Sequence, residues 1–290
     1  MPIRWHVDDP DLLREAIVST ATEMNYNPRL VEKDYFCSVL LERLSTSKAG
    51  ITFKGGTCLS KIHGNLYRLS EDLDYTISTL PGATRTDRRR GVEAAKAAFA
   101  ALPDALPGFT VLESLRGANN SSQYNGAVGY QSLVDGHREP IRVEISVSEP
   151  TLLAVEAGRA RTAVLNPLTG RPLIPPFTVE TLSYDEAIAE KVRAALCRRD
   201  VAIRDYFDVD HAVHSGKLDP FDPAFLNLVR RKIAAPRTGP VDVSDARVAD
   251  LHRQLDAQLL PVLRERDFAQ FDLERAMSTA RGIAQKVARR

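Results

Sequence analysis

Residues 53–77 read FKGGTCLSKIHGNLYRLSEDLDYTI, and together with the two residues before them they contain two features from which the architecture can be predicted. The first is a short apolar run, ITF at 51–53, which leads into the glycine pair Gly55 and Gly56. The second is LDYTI at 73–77, in which apolar and polar residues alternate as they do on a half-buried strand. The pattern therefore predicts a strand, a glycine turn, a brief helix and a second strand, in that order.

Asp72 and Asp74 flank Leu73 at the second predicted strand. Because side chains alternate along a strand, the two carboxylates project to one face, where they can share a divalent cation, and Leu73 points into the core. A hard cation such as Mg²⁺ prefers a few carboxylates together with the phosphates of its substrate. The pair therefore suits a complex of a metal ion with a nucleoside triphosphate.

Gly55 and Gly56 add an anion site to this prediction. Without a Cβ, their backbone amides and the start of the following helix can approach a triphosphate closely. Each feature alone is more often structural, since a D-x-D triplet is commonly a solvated strand edge and a glycine pair is commonly a turn. Their order favours a nucleotide-binding site, with Asp72 sixteen residues after Gly56.

The run IRVEISV at 141–147 predicts a strand with isoleucines and valines on its buried face. Glu144 lies on the opposite face with Arg142 and Ser146, which makes it the candidate for a third metal carboxylate. The alternative interpretation is a glutamate that only faces solvent.

The rest of the chain predicts an α+β core with helices before it and an all-helical segment after it. Asp135-Gly136 is a hairpin signal, and the proline-rich stretch 150–180 is expected to be irregular until its last strand. Helices are predicted at 10–23, 28–45, 87–102, 184–199, 203–214, 222–233, 244–265 and 270–288, and further strands at 109–115, 124–134, 140–148 and 177–179.

The helical segment carries a second cluster of charged residues. Lys191 has small residues three and four positions later, so its helix face leaves room for a phosphate ligand. Asp205 and Asp208 are one helical turn apart and share a face. The alternative is a surface ion pair, as between Arg204 and Asp208.

The composition limits the classes to which the chain can belong. Of its 290 residues, 43% are hydrophobic and 27% are charged, as in a folded protein with a sizeable core. No apolar run is long enough to cross a membrane, so a cytoplasmic protein without a membrane partner is expected. Three widely spaced cysteines indicate buried thiols. A net charge of +1 argues against a surface coated with nucleic acid, so any such site must be local. Two basic stretches could supply it, Arg85 with Arg88, Arg89 and Arg90, and the C-terminal region with Arg230, Arg231, Lys232, Arg237, Arg281, Lys286, Arg289 and Arg290. The alternative for each stretch is a solvated helical face.

Three stretches resemble the AbiEii/AbiGii nucleotidyltransferase toxin family, which includes the MenT-like toxins of type IV toxin–antitoxin systems. FKGGTCLSKIHGNLYRLSEDLDYTI at 53–77 is similar to the family motif KGGTxLxK…RxSEDhD. TLSYDEAIAEKVRAALCRRDVAIRDYFDVDHAV at 181–213 is similar to its later block ExxxEKxxA…R…RDxxDh. VEKDYFCSVLLERL at 31–44 resembles its opening helix, and the resemblance spans roughly residues 30–215.

This resemblance implies a DNA-polymerase-β-like nucleotidyltransferase core at 49–180. N-terminal helices at 1–48 would pack on the core, and a helical lobe at 181–290 would contribute to the active-site cleft. The residues implicated are Lys54, Gly55, Gly56 and Thr57 at the nucleotide, Asp72 and Asp74 at the metal and in catalysis, Lys191 at the triphosphate, and Asp205 as a further catalytic acid, with Asp208 as the alternative.

The mycobacterial MenT toxins, which the chain resembles, add nucleotides to the acceptor end of tRNA and so block translation. The resemblance implies transfer of a nucleoside monophosphate from an NTP to an RNA, most simply the tRNA 3′ end. Mg²⁺ would be the cofactor, with Mn²⁺ as the alternative, and a cognate antitoxin would be the protein partner.

Two other functions stay open at this point. One is a nucleotidyltransferase that modifies a protein or a small molecule, and the other is a non-catalytic nucleotide-binding module of a phage-defence complex. Retention of Asp72, Asp74 and Lys191 argues against the module, since binding alone does not require both carboxylates.

Ser70 lies two residues before Asp72 and is a regulatory candidate. A serine in such a turn is usually a capping group. A phosphate on Ser70 would add nearly two negative charges and three acceptor oxygens beside the nucleotide site. It would then capture the metal or repel the nucleotide and so switch activity off.

Overall fold

The computed structural model describes residues 4–235 and 238–288, which fall into two units, Met1–Leu182 and Ser183–Arg290. The first unit combines one sheet with helices, and the described residues of the second unit form helices without a strand. The predicted α+β fold class is confirmed. None of the helices in the described ranges is both long and apolar enough to span a membrane.

The strands of the first unit form one mixed sheet. They are β1 (Thr52–Lys54), β2 (Leu73–Thr76), β3 (Phe109–Ala118), β4 (Gln123–Gln131), β5 (Arg138–Ser146), β6 (Glu156–Ala160) and β7 (Phe177–Thr181). Their order across the sheet is β3-β4-β5-β2-β1-β7-β6. The pairs β2/β5 and β1/β7 are parallel, and the other neighbouring pairs are antiparallel. β1 and β2, the strands at the two ends of the 53–77 stretch, therefore lie in the interior of the sheet and not at its edges.

The predicted hairpin at Asp135-Gly136 is confirmed. It joins β4 to β5, and Gly136 has the positive φ of +74° that glycine tolerates best. The prediction for 150–180 was partly wrong, because β6 lies within that stretch and pairs antiparallel with β7. Its sequence, EAGRA, has no apolar alternation, and the strand forms through its pairing with β7.

The helices of the first unit include two long helices at the N-terminal end and several short ones. They are α1 (Trp5–Asp8), α2 (Pro10–Met24), α3 (Pro28–Ser45), α4 (Gly55–Cys58), α5 (Arg85–Gly91), α6 (Glu93–Ala100) and α7 (Leu102–Ala105). Asp9 and Asn27 cap α2 and α3 by accepting hydrogen bonds from the amides of Leu12 and Arg29. A π-helical turn, Leu59–His63, continues α4.

The single helix predicted at 87–102 was wrong, because α5, α6 and α7 divide this stretch. Gly91 ends α5, and glycine is a poor helix former because it leaves the backbone with most freedom to lose. Pro103 lies in the first turn of α7, where its missing amide is tolerated.

Helix α3 buries three consecutive charged residues, Glu32, Lys33 and Asp34. Lys61, from the π-helical turn, donates from Nζ to Asp34 Oδ1 at 2.5 Å and to Ser38 Oγ at 2.7 Å. Both side chains of the Lys61–Asp34 pair are 1% exposed. This buried ion pair fastens the 53–77 stretch to α3.

The remaining carboxylate oxygens on α3 are also satisfied. Asp34 Oδ2 accepts hydrogen bonds from Thr162 Oγ1 at 3.0 Å and from the Ala163 amide at 2.7 Å. Glu32 accepts from Ser132 Oγ at 2.7 Å and from the Leu133 amide at 2.6 Å. Because a buried charge is costly without partners, these bonds are what allow α3 to carry charge inside the unit.

The described residues of the second unit include helices that are joined by buried and partly exposed ion pairs. They are α8 (Tyr184–Cys197), α9 (Ile203–His214), α10 (Pro223–Ile233), α11 (Asp245–Gln254), α12 (Glu265–Gln270) and α13 (Leu273–Ala288). The buried Lys232 of α10 bonds Glu186 Oε1 at 2.7 Å and Glu190 Oε1 at 2.9 Å on α8. Arg275 of α13 binds both carboxylate oxygens of Asp210 on α9, at 2.8 and 2.6 Å.

The helix predicted at 244–265 was wrong in its second half. Helix α11 ends at Gln254 and is followed by a π-helical turn, Leu255–Leu259, and a 3₁₀ turn, Leu260–Val262. Pro261 lies in this last turn, and proline cannot continue a helix because it lacks an amide and clashes with the preceding turn.

We expect Lys61→Met to lower the free energy of unfolding by about 3–5 kcal/mol, because it leaves the Asp34 carboxylate buried without its counter-charge. Urea denaturation of the whole chain measures the loss. Lys48→Met is the control, since Lys48 is exposed, and should cost less than about 1 kcal/mol.

Adding Asp34→Asn to Lys61→Met should recover part of the loss, because the remaining amide carries no charge. A loss no larger than that of the control would show that the pair does not hold the stretch in place.

Candidate functional site

A row of polar side chains crosses the sheet at the level of Asp74. Asp74 of β2 pairs with Lys54 of β1 and with Glu144 of β5, and Glu144 pairs in turn with Asn125 of β4. Residues paired across neighbouring strands point to the same face of a sheet. The four side chains therefore share one face, and each is at least partly exposed.

The adjacent row points the other way and is buried. Phe53, Tyr75, Ile145 and Tyr124 occupy the next register positions on the same four strands, and none of them is more than 2% exposed. The alternation predicted for 73–77 and for 141–147 is thus confirmed. One face of these strands packs into the core, and the polar face carries Asp74 and Glu144.

The segment that carries Asp72 is held by hydrogen bonds to its backbone. Thr57 is buried, and its Oγ1 donates to the Asp72 carbonyl oxygen at 2.5 Å. Cys37 of α3 donates from Sγ to the Glu71 carbonyl oxygen at 3.6 Å. Burial raises the pKa of the Cys37 thiol to about 12, so it stays protonated and unreactive. Thr57 and Cys37 thereby fix where β2 begins.

The two glycines of the motif are required for different reasons. Gly55 has φ of +76°, and a Cβ added to it would lie 2.8 Å from the Cβ of Asp74. A Cβ on Gly56 would collide with the guanidinium group of Arg68, which is 1% exposed. The predicted strand-to-helix turn is confirmed, since β1 ends at Lys54 and α4 begins at Gly55. Gly55 thus brings the backbone against the Asp74 side chain.

Asp72, Asp74 and Glu144 are the carboxylates to compare with the needs of a divalent cation. Within residues 4–235 and 238–288, no three histidine, cysteine, aspartate or glutamate side chains are grouped to hold a metal ion. Asp74 and Glu144 are direct neighbours in register, and Asp72 stands two residues before Asp74. Mg²⁺ commonly takes one or two carboxylates from the protein and the rest of its ligands from phosphates and water.

In the second unit, Lys191 lies between two buried carboxylates. Its Nζ is 2.7 Å from Asp205 Oδ1 and 3.0 Å from Asp208 Oδ2, and Arg198 reaches the other oxygen of Asp205 at 3.4 Å. Asp205 and Asp208 therefore share a face of α9. Lys191 is 14% exposed, so it is mostly but not wholly enclosed.

Several residues that position the site were not predicted from the sequence. Lys61 and Arg68 both lie inside the 53–77 motif and are buried, and Asp34 is the partner of Lys61. The available signal was the run Glu32-Lys33-Asp34 within an otherwise apolar helix, because consecutive charges on a buried helix require partners.

Ser70 is half-buried. Within the ranges that the structure describes, its hydroxyl makes no capping or turn hydrogen bond to another residue. The usual explanation for a serine in this position, a capping group, therefore has no contact to support it.

Comparison with known proteins gives a family and a fold. The family model described as nucleotidyl transferase AbiEii toxin of a type IV toxin–antitoxin system matches residues 39–280. No curated protein matches the sequence.

Two solved structures from Helicobacter pylori resemble the fold. JHP933 has a TM-score of 0.54 and 16% identity, over 90% of this chain and 93% of its own. A protein described as a candidate nucleotidyltransferase has a TM-score of 0.52 and 16% identity, over 90% of this chain and 95% of its own. At this identity, the likeness establishes the fold alone.

We expect Gly55→Ala to destabilise the chain more than Gly50→Ala. Both residues have positive φ, which costs an alanine about 1–2 kcal/mol, but only at Gly55 does the added Cβ meet a neighbour, Asp74, for a further 1–3 kcal/mol or so. Denaturant unfolding of the two variants measures the difference. Equal losses would mean that the backbone does not press against Asp74.

Proposed function

Because the chain belongs to the AbiEii family of nucleotidyltransferase toxins of type IV toxin–antitoxin systems, we propose that it transfers a nucleoside monophosphate from an NTP to an RNA acceptor, most simply the 3′ end of tRNA. The observation that carries this proposal is the register of β1, β2 and β5. It sets Asp74 beside Glu144, on the face that Gly55 approaches.

In the proposed reaction, a hydroxyl oxygen of the acceptor bonds to the α-phosphorus of the NTP. The bond from that phosphorus to the oxygen bridging the β-phosphate breaks, pyrophosphate leaves, and the hydroxyl proton is lost to solvent. Asp72 and Asp74, with Glu144 beside them, would hold Mg²⁺ or Mn²⁺. When bound, such a cation neutralises charge at the α-phosphate and activates the attacking oxygen.

The motif before the carboxylates is proposed to hold the phosphates. The missing Cβ atoms at Gly55 and Gly56 leave room for Asp74 and Arg68, and the backbone amides of this turn are proposed to donate to phosphate oxygens. Lys54 lies opposite Asp74 in register and supplies a positive charge on the same face. Thr57 would act indirectly, through the Asp72 carbonyl oxygen that it binds.

In the second unit, Lys191 is proposed as a cation for the triphosphate, and Asp205 as a further catalytic acid, with Asp208 as its alternative. The pairing of Lys191 with both aspartates supports a defined position for its Nζ. Lysine acts on phosphate as a compact point charge, so a fixed position favours this role.

The proposed cellular role is a toxin that blocks translation and is neutralised by a cognate antitoxin. Ser70 is proposed as a modification site that switches the toxin off, because a phosphate there would add charge two residues before Asp72. Peptide mass mapping of the chain expressed with and without its antitoxin would report whether Ser70 carries a phosphate.

We expect Asp72→Asn and Asp74→Asn each to reduce transfer of label from an α-labelled NTP at least about 100-fold, because each variant loses a carboxylate charge that would hold the metal ion. The assay offers total RNA and total protein as acceptors at matched Mg²⁺. Asp104→Asn, which changes an exposed aspartate on α7, is the matched control.

Transfer near the wild-type level by either variant would contradict the metal assignment. Label in the protein fraction alone would favour the alternative of a nucleotidyltransferase that modifies proteins, and no labelling by the wild type would favour the non-catalytic module.

We expect Lys191→Met and Lys232→Met to lower stability by similar amounts, about 3–5 kcal/mol, since each removes the cation from two carboxylates. At a temperature where both variants are folded, only Lys191→Met should raise KM for NTP, by roughly tenfold or more. Steady-state kinetics with varied NTP measures this. An equal change in KM in both variants would make Lys191 a structural residue.

A further inference from the structure

A groove lies at the β3 edge of the sheet, beyond the carboxylate row. Its volume is about 540 Å³, and its lining includes Glu113, Arg116, Gly117 and Asn125. The register of β3 against β4 shifts on both sides of Glu113. Such bulges bend a strand and redirect its side chains, which keeps an edge strand from pairing with another chain.

The groove opens on the same face as the proposed catalytic carboxylates. Arg116 of β3 pairs with Asn125 of β4, and Asn125 pairs with Glu144, the neighbour of Asp74. With strands about 4.8 Å apart, Arg116 is three strand spacings from Asp74, or roughly 14 Å along the sheet. The other face is closed here, because Phe99 of α6 reaches Gly126 of β4 and Lys96 of the same helix lies 5.2 Å from the centre of the Tyr124 ring.

The charges beside the groove suit a polyanion. Arg116 is exposed and forms no ion pair within the described ranges. Helix α5 presents the exposed Arg85, Arg89 and Arg90. Arg88 instead donates to the Asn120 carbonyl oxygen at 3.1 Å, which joins α5 to the turn between β3 and β4. It also donates to the Ala83 carbonyl oxygen at 2.6 Å, just before α5. The basic helix is thereby held against the hairpin that carries Arg116.

We propose that this groove, together with the exposed arginines of α5, binds the single-stranded 3′ end of the acceptor RNA. Arg116 binds a backbone phosphate, and the Asn125 amide binds a ribose or a base edge. The strand then runs along the polar row, so that its terminal hydroxyl comes to Glu144 and Asp74. This inference rests on the proposed function, since it names the path of that reaction's acceptor.

Among the described residues that line the groove, Glu113 is the acidic side chain and opposes a polyanion. Its carboxylate is exposed and makes no ion pair in the described part of the chain. The groove therefore predicts effects of opposite sign for neighbouring residues of one strand, with weaker RNA binding when Arg116 is neutralised and stronger binding when Glu113 is neutralised. A purely structural role for β3 would not give opposite signs.

The test measures binding of a fluorescent single-stranded RNA oligonucleotide by anisotropy, as a function of salt and without NTP. We expect Arg116→Ala, and separately the pair Arg89→Ala with Arg90→Ala, to weaken binding about 5–10-fold at low salt. For Arg116→Ala, the slope of log affinity against log salt should fall by about 0.7, the value for one single-strand phosphate contact. Glu113→Gln should tighten binding. Arg171→Ala, in the connection from β6 to β7 at the other edge of the sheet, is the exposed control and should change neither quantity.

In the transfer assay, Arg116→Ala should raise KM for RNA and leave KM for NTP unchanged. The groove assignment is overturned if the Arg116 and α5 variants keep the wild-type affinity and salt slope. The proposed function stands in that case, provided that transfer to RNA is intact. Failure of the wild-type chain to label RNA would overturn the proposed function, and the groove assignment with it.

Discussion

The ion pair between Asp34 and Lys61 is the contact on which the first unit depends. Removing two charges from water is costly, and the cost is offset only when every remaining donor and acceptor finds a partner. Here Ser38, Thr162 and the Ala163 amide supply the partners. The pair joins α3 to the π-helical turn that follows the glycines. Asp34 also accepts hydrogen bonds from Thr162 and Ala163, which connect the chain segment after β6 to α3. The 53–77 stretch is thus fastened at its middle to the longest helix of the unit.

Because the Lys61–Asp34 pair holds the middle of the 53–77 stretch, the two ends of the stretch enter the sheet as the neighbouring strands β1 and β2. β1 and β2 pair antiparallel, and β2 pairs parallel with β5, so Lys54, Asp74 and Glu144 align although Glu144 is far along the chain. Thr57 fixes the start of β2 by binding the Asp72 carbonyl oxygen, and Gly55 lets the backbone reach the Asp74 side chain. The geometry of the candidate site therefore depends on the contacts that hold the motif in place as much as on the carboxylates themselves.

The helical unit follows the same principle with different residues. The block E-x-x-x-E-K on α8 divides its charges between two partners, since Glu186 and Glu190 bind Lys232 and Lys191 binds Asp205 and Asp208. Each pair joins two helices, and each is mostly buried. In both units, charged residues of the motifs form buried ion pairs. The proposed chemistry uses side chains whose positions are already fixed by packing.

Local sequence was sufficient to predict the elements whose patterns are strong. The helices that begin with a proline after Asp9 or Asn27, the alternation at 73–77 and 141–147, the Asp135-Gly136 hairpin and the glycine turn all follow from short-range sterics and from the two-residue period of a strand. The motif residues were sufficient to predict the family. Tertiary structure decided the rest. β6 forms because β7 offers it a partner, and Lys61 and Asp34 are recognisable as a pair only when the chain has folded. No local pattern predicts the register that places Asn125 and Arg116 in line with Asp74, or the groove at β3. Both depend on hydrogen bonds between strands that are distant in sequence.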